Sequence, residues 1–204
     1  MSKRSKRHFL RDKEAKKLLE NVSKRLKTAL EKCFSGMPKV QVVEVDFGEV
    51  YLLNGEPALF KSGEKVYPTL LFKEVFGFLP KVVVDMGAVP HVCNGADVMA
   101  PGILRFEGEF VKGDIVLVVD EKYGKPIAIG EILYNADEVV GVKRGAVVKN
   151  IHYVGAKFGK ILRSWQARSE ISSNPYLGFI NLLIIKSICI LVSEHCSIRK
   201  CLNS

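Results

Sequence analysis

The sequence predicts an α+β protein in two parts, an N-terminal α+β domain followed by a small, partly open β barrel. Two patterns predict this order. Near the N terminus, apolar residues recur with helical spacing between charged ones. The later sequence holds short apolar runs separated by turn residues about every eight to twelve positions. A length of 204 residues leaves room for two small domains.

The helical pattern runs from Leu18 to Phe34, with apolar residues at spacings of three and four. It predicts an amphipathic helix of about six turns that begins at Asp12 and is ended by Gly36 and Pro38. The basic residues ahead of it lack the apolar run of a signal peptide, so we expect a flexible arm there.

Strand and turn signals follow the helix. The alternating residues 40–46 predict a half-buried strand, and residues 49–61 predict a hairpin whose Asn54-Gly55 pair suits a type I′ turn. Pro68 is expected to open a short, mostly apolar helix, because proline is favoured at the first helical position.

Pro80 is the predicted boundary between the two parts. It places the α+β domain at residues 1–79 and the barrel at residues 80–162. The barrel is expected to hold two strands within residues 113–133, joined by a turn at Tyr123 and Gly124, and a last strand at 145–154, which Ile151 and Tyr153 anchor in the core. His152 is interpreted as a surface or hydrogen-bonded side chain.

The barrel is organised around residues 82–104. They predict a short strand, a small helix that Asp85 caps and Gly95 ends, and a second strand that runs into Pro101 and Gly102. Glycines at both ends of a small helix permit a sharp turn or the close approach of a ligand. Residue types alone favour a structural corner over a binding cleft.

Residues 163–204 form an apolar tail of different composition. The seventeen residues 176–192 contain one charge, Lys186, and lie at the lower limit for crossing a bilayer. Three interpretations stay open: a marginal membrane helix, an apolar helix that docks on the body, and an appended or out-of-frame segment outside the functional fold. We favour the third, because the composition changes abruptly, and we expect no membrane partner.

The positive charge lies near the N terminus. Residues 1–32 contain twelve Lys or Arg against four Asp or Glu, whereas residues 80–162 contain ten of each. A basic segment without an apolar anchor favours a polyanion such as RNA or DNA, by phosphate contacts and counterion release. The alternative is a solvated helix face without a ligand.

Residues typical of catalysis or metal binding are scattered. The glycines at 95 and 102 lack the lysine or third glycine of phosphate-binding motifs. We interpret Asp85 and Asp97 as a cap and an exposed strand residue, with an acid-base pair as the alternative. We therefore expect no catalysis, no cofactor and no metal. The cysteines and the histidines near them, His91 and His195, lack the close ligand pairs of zinc sites. We expect the five cysteines to be reduced cytosolic thiols: Cys33, Cys93, Cys189, Cys196 and Cys201.

Several ordered motifs carry a family resemblance. Residues 82–104, with GDIVLVVDEKYGKPIAIGEIL and RGAVVKNIHYV, resemble a PUA domain, the small RNA-binding pseudobarrel of pseudouridine synthases and archaeosine transglycosylases. NGEPALFK, YPTL, FLP and NIHY are similar to the malignant T-cell-amplified-sequence family and its archaeal relatives. In that family a pre-PUA domain precedes the PUA domain, and the resemblance covers about residues 10–162.

The resemblance implies a non-catalytic factor of the small ribosomal subunit, active in translation initiation, reinitiation or recycling beside a density-regulated protein partner. It also implies that a groove next to the glycine-flanked helix takes the single-stranded CCA end of tRNA or a duplex end beside it. Carried onto this chain, the groove residues are Gly87, Ala88, Gly95, Ala96, Asp97, Val98, Met99, Pro101, Gly102 and Ile103.

Residue types add three predicted phosphate contacts, Lys143, Arg144 and Lys149. Val98 or Met99 is expected either to pack against a base or to lie in the core. A bulky residue in place of Gly102 is expected to weaken binding and leave the fold intact.

The leading hypothesis is therefore a cytoplasmic, translation-associated factor that binds tRNA or ribosomal RNA on the small subunit. Two alternatives share the same two-domain plan. One is an accessory RNA-binding subunit of a tRNA-modifying enzyme, and the other is a ribosome-assembly adaptor.

Overall fold

A five-stranded antiparallel sheet forms the first part of the chain. The computed structural model describes residues 7–28, 30–34, 36–45 and 48–155. In this sheet the order of the strands follows the order of the chain. The strands are β1 (Arg7–Phe9), β2 (Val40–Val45), β3 (Gly48–Leu53), β4 (Glu56–Ser62) and β5 (Lys65–Pro68).

Helix α1 spans Asp12–Leu26 and is shorter than predicted. The chain leaves the helix at Lys27, which has a left-handed φ of 51°, and the Thr28 N–H donates to the Ser23 carbonyl at 3.1 Å. A separate 3₁₀ turn, Leu30–Cys33, then continues the apolar spacing. The prediction of six turns was wrong because the helix ends without the glycine that normally marks such an end. The helix buries Ala15, Leu19, Val22 and Leu26.

Two further predictions for this part were wrong. Arg7–Phe9, expected in a flexible arm, form β1 by pairing with β2. Pro68 ends β5 opposite Leu59 and opens no helix. The chain is held there by Thr69, whose N–H donates to the Ala58 carbonyl at 2.8 Å and whose hydroxyl donates to a neighbouring carbonyl at 2.7 Å. The predicted type I′ turn is present, with φ of 52° at Asn54 and 91° at Gly55.

A curled six-stranded sheet forms the second part, which confirms the α+β class with a C-terminal β pseudobarrel. Its strand order is β7-β11-β10-β9-β6-β8, and only β6 and β9 pair in parallel. Two short helices, α2 and α3, lie between the strands. The bounds are β6 (Lys81–Val84), α2 (Val89–Cys93), β7 (Val98–Met99), β8 (Ile103–Glu107), β9 (Ile115–Asp120), β10 (Pro126–Ile132), α3 (Ala136–Val139) and β11 (Ala146–Tyr153).

The core of this second sheet joins its strands to α2. Val84 on β6, Val92 on α2, Val118 on β9 and Val148 on β11 are at most 1% exposed and belong to one cluster. Ala88 and Ile103 pack against the edge of this cluster and stay half-buried. The core therefore sets the position of the segments that approach and leave α2.

Glu131 on β10 connects the two sheets. Its carboxylate accepts hydrogen bonds from Arg25 Nη2 at 2.9 Å, Lys65 Nζ at 3.0 Å and the Tyr67 hydroxyl at 3.1 Å. The Arg25 guanidinium also lies 4.3 Å from the centre of the Tyr67 ring. We call Glu131, Arg25, Lys65 and Tyr67 the Glu131 cluster. It ties α1 and β5 of the first part to β10 of the second.

The Glu131 cluster shifts the pKa of its carboxyl group. Burial favours the neutral form, but the hydrogen bonds from Lys65 and Tyr67 and the charges of Lys65 and Arg25 outweigh burial. The pKa of Glu131 therefore lies below its ordinary value of 4.5. The carboxylate is ionised at neutral pH and attracts both cations.

Aromatic contacts extend this interface. The Phe60 ring on β4 lies 5.8 Å from that of Tyr67 and 5.4 Å from that of His152, measured between ring centres. His152 is 4% exposed, which excludes the surface position and leaves the other predicted environment, a hydrogen-bonded side chain. Ile151 and Tyr153 are half-buried. The sequence did not show that the first sheet covers this face of β11 and buries His152.

Some predictions fall on other parts of the chain. The tail at 163–204, with Cys189, His195, Cys196 and Cys201, lies outside the described residues. The domain boundaries at 79 and 162 stay predictions. Within the residues that the structure describes, no helix has the length and apolar character needed to span a bilayer.

We predict that Glu131→Gln lowers the free energy of unfolding by about 1–3 kcal/mol at pH 7, because charged hydrogen bonds between the two sheets are lost. Since the folded pKa of Glu131 is depressed, its contribution is complete above pH 4.5 and is lost as the pH falls through the folded pKa. Urea unfolding curves between pH 7 and pH 3 should therefore show the two proteins converge as the solution becomes acidic.

Glu107→Gln is the matched control. Glu107 pairs with Arg105 at 3.0 Å, but both side chains are more than a third exposed, so its loss should change stability by less than about 1 kcal/mol. Equal losses in the two variants would contradict the role assigned to the Glu131 cluster.

Candidate nucleic-acid interface

The approach to α2 is a tight turn built by Asp85. Strand β6 ends at Val84, and the Asp85 N–H donates to the Gly102 carbonyl at 3.0 Å. The Asp85 carboxylate accepts the Ala88 N–H at 2.7 Å, so this side chain organises the backbone just before the helix. Gly87, between these residues, is exposed.

Gly102 lies against Ala88 across this turn. A Cβ placed on Gly102 would be 2.8 Å from the Ala88 Cβ, closer than two carbon atoms can approach. The two segments can therefore pack together only because both residues are small. Because packing already uses this space, the geometry opposes the expectation that a bulky residue at 102 leaves the fold intact.

The far end of α2 is held by β11. Gly95 has a positive φ of 93°, and a Cβ there would lie 2.8 Å from the Tyr153 ring. The Asn150 amide donates from Nδ2 to the carbonyls of Val92 at 3.0 Å and Ala96 at 2.9 Å. These contacts fix the exit of the helix on the strand.

Asn150 is a residue whose importance sequence reasoning missed. Its position within the NIHY motif marked a resemblance but gave no role. Its backbone N–H donates to the Asp97 carboxylate at 2.8 Å. Asp97 is exposed, but its side chain therefore has a structural role, holding β11 by this hydrogen bond. Among the described residues, Asn150 Oδ1 is a buried acceptor without a hydrogen-bond partner.

Val98 and Met99 have different environments, although both were predicted site residues. Val98 is 1% exposed, pairs with Val148 and belongs to the core. Met99 is 49% exposed and lies opposite Ala146. Because successive strand residues point to opposite faces, Met99 is available to a ligand and Val98 is not.

A basic turn lies beside Met99. The Ala100 N–H donates to the Gly145 carbonyl at 2.9 Å, which brings the exposed Lys143 and Arg144 to this edge of the sheet. Lys149 is also exposed, but it lies opposite Glu131 in the β10–β11 ladder, next to the Glu131 cluster. The structure thus groups the first two cations with Met99.

The predicted residues form two groups around α2. The first, at its entrance, holds Gly87, Ala88, Pro101, Gly102 and Ile103, of which Gly87 and Pro101 are exposed. The second, at its exit and along β7, holds Gly95, Ala96, Asp97 and Met99, with Lys143 and Arg144 alongside. We call the two groups together the α2 surface.

Two family models match this chain. A PUA domain matches residues 80–154, and a domain of unknown function, DUF1947, matches residues 6–73. An uncharacterized protein of Methanocaldococcus jannaschii is 41% identical over 158 residues, which are 74% of this chain and 94% of the relative. Malignant T-cell-amplified sequence 1-B of Xenopus laevis is 30% identical over 127 residues, which are 58% of this chain and 70% of the relative.

Two further similarities extend the comparison. Translation machinery-associated protein 20 of Saccharomyces cerevisiae is 29% identical over 58% of this chain and 72% of its own length. The crystal structure of a hypothetical protein from Pyrococcus horikoshii superimposes with a TM-score of 0.66 and 33% identity. It covers 77% of this chain and 99% of that chain. The likeness therefore spans both sheets.

We predict that Gly102→Ala destabilises the protein by about 1–3 kcal/mol, because the new methyl group overlaps with the Ala88 side chain. Adding Ala88→Gly should restore part of this loss, giving a favourable coupling of at least about 0.5 kcal/mol in a double-mutant cycle. Thermal and urea unfolding of the wild-type protein, the two single variants and the double variant measure this coupling.

Gly77→Ala is the control, because a Cβ there meets nothing within 4 Å. It should change stability by at most about 0.5 kcal/mol. If Gly102→Ala is as stable as the wild-type protein, the close packing of these two segments is not what requires glycine.

Proposed function

The chain belongs to the family of PUA-domain proteins that includes the malignant T-cell-amplified sequences and their archaeal relatives, and on this premise we propose a non-catalytic factor of translation. It is an RNA-binding PUA protein related to translation machinery-associated proteins. Its ligand is a single-stranded RNA end, either the 3′ CCA end of tRNA or ribosomal RNA, and it acts on the small ribosomal subunit.

The observation that carries the proposal is the exposed Met99 beside the basic turn of Lys143 and Arg144. Single-stranded RNA is bound by surfaces that offer apolar contact to bases and positive charge to phosphates. The 2.9 Å bond from Ala100 to Gly145 holds both features at one edge of the α2 surface. At the other edge, Gly87 and Pro101 are exposed, and Gly87 has no side chain that would keep an RNA backbone away.

The carboxylates that flank α2 support a role in binding rather than catalysis. Asp85 accepts the Ala88 N–H at 2.7 Å and Asp97 accepts the Asn150 N–H at 2.8 Å. Each therefore holds the backbone of the site, and this structural role accounts for both carboxylates.

Long-range attraction comes from the first part of the chain. The solvent face of α1 exposes Lys13, Lys16, Lys17 and Lys24 beside three acidic residues, Asp12, Glu14 and Glu20. Residues 1–32 as a whole carry twelve Lys or Arg against four Asp or Glu, whereas the PUA-matching region is nearly neutral. We propose that α1 adds counterion release to a contact that the α2 surface makes specific. A density-regulated-type protein beside this chain, in the cytoplasm, belongs to the same proposal.

We predict that the full chain binds tRNA with an intact CCA end more tightly than tRNA from which CCA has been removed. Binding can be followed by fluorescence anisotropy over a series of salt concentrations. Arg144→Gln should weaken binding several-fold and reduce the salt slope by about 0.7, the value for one single-stranded phosphate contact. Lys112 is an exposed lysine in a different loop, and Lys112→Gln should leave both the affinity and the salt slope unchanged. Equal affinity for the two tRNAs would contradict the assignment of the α2 surface to the CCA end.

A second experiment tests the cellular role. Sedimentation of cell extracts should place the chain with small ribosomal subunits. Stoichiometric co-purification with a tRNA-modifying enzyme would support an accessory subunit instead, and association with pre-ribosomal particles alone would support an assembly adaptor.

A further inference from the structure

The turn between β9 and β10 presents an exposed aromatic ring flanked by lysines. Tyr123 is 58% exposed. The Lys122 ammonium lies 5.2 Å and the Lys125 ammonium 5.1 Å from the centre of its ring, and both lysines are exposed. The combination of an accessible ring with two nearby cations matches what a base and its neighbouring phosphates require.

A buried carboxylate holds this turn in one conformation. Asp120 is 4% exposed, and its two oxygens accept the Tyr123 N–H at 2.6 Å and the Lys125 N–H at 3.0 Å. The Asp120 carbonyl accepts the Gly124 N–H at 3.1 Å. The backbone that carries Tyr123 is therefore ordered before any ligand arrives, which lowers the entropic cost of binding.

The turn adjoins the entrance of the α2 surface. The Glu121 N–H donates to the Val84 carbonyl at 3.0 Å, and the Glu121 carboxylate accepts the Met86 N–H at 3.0 Å. Met86, 38% exposed, is followed directly by Gly87. The turn that carries Tyr123 is thus hydrogen-bonded through Glu121 to the segment at the entrance of the α2 surface.

We infer that Tyr123, with Lys122 and Lys125, is a second contact site for single-stranded RNA, which takes the nucleotides preceding the end held by the α2 surface. The inference rests on the proposed function. A base that stacks on Tyr123 displaces at most the ammonium groups above its ring. Base stacking exceeds the exposed cation–π contact that it replaces, and the released lysines then meet the adjoining phosphates.

The test compares two oligoribonucleotides that end in CCA, one of about four and one of about twelve nucleotides, within the range of single-strand binding sites. In anisotropy titrations with the full chain, the longer RNA should bind more tightly to the wild-type protein. Tyr123→Ala should weaken binding of the longer RNA by about 5- to 150-fold and leave the shorter one unchanged. Tyr123→Phe keeps the ring and should retain most of the affinity.

Two further variants complete the design. Replacing both lysines, Lys122→Gln with Lys125→Gln, should reduce the salt slope for the longer RNA by about 1.4 and leave that for the shorter RNA unchanged. Phe78→Ala removes an aromatic ring of similar exposure, 49%, from another loop and should have no effect. If wild-type protein binds the longer RNA and Tyr123→Ala binds it equally well, the second site is overturned while the proposed function stands. If the wild-type protein binds neither RNA, the proposed function itself fails and this inference fails with it.

Discussion

The carboxylate of Glu131 is the constraint on which the arrangement of the two sheets depends. Its side chain is 17% exposed, and a charge withdrawn from water to that extent needs compensating donors. Those donors come from α1 and β5, both outside the sheet that carries Glu131. The hydrogen bonds that these donors make to the carboxylate form where the two sheets meet in this orientation. We interpret the cluster as a set of contacts that fixes the orientation of the two sheets.

Strand β11 transmits this constraint to the α2 surface. His152 pairs with Ile129 and Asn150 pairs with Gly130, so Ile151 is an extra residue on β11. An extra residue changes which face of the sheet the side chains beyond it point to. His152 therefore packs on Phe60 of the first sheet, whereas Asn150 faces the other way and binds α2. A single strand thus carries contacts to both neighbours, and the bulge makes this possible.

The small residues around α2 are required by packing as much as by access. Gly102 and Ala88 allow two segments to touch, and Gly95 accommodates the Tyr153 ring. What remains for a ligand is the rim: Gly87, Pro101, Met99 and the basic turn at Lys143 and Arg144. The inferred site at Tyr123 lengthens this rim along the sheet. The binding free energy is then divided among several modest contacts, each of the size that one stacked base or one phosphate contributes.

Features that local chemistry controls could be predicted from the residues alone. Asn54-Gly55 predicted its turn because few residues tolerate two successive positive φ angles, and the apolar runs predicted most strands of the second sheet. Residue types also marked the segment 82–104 as unusual, and ordered motifs predicted the family. Contacts between distant segments were needed to show where α1 ends, that Pro68 belongs to a strand, and that Val98 is core while Met99 is exposed. The tertiary structure alone revealed Glu131, Asn150 and the turn held by Asp120. Their partners lie far away in sequence or are backbone groups, and neither kind of contact leaves a periodic signal in the chain.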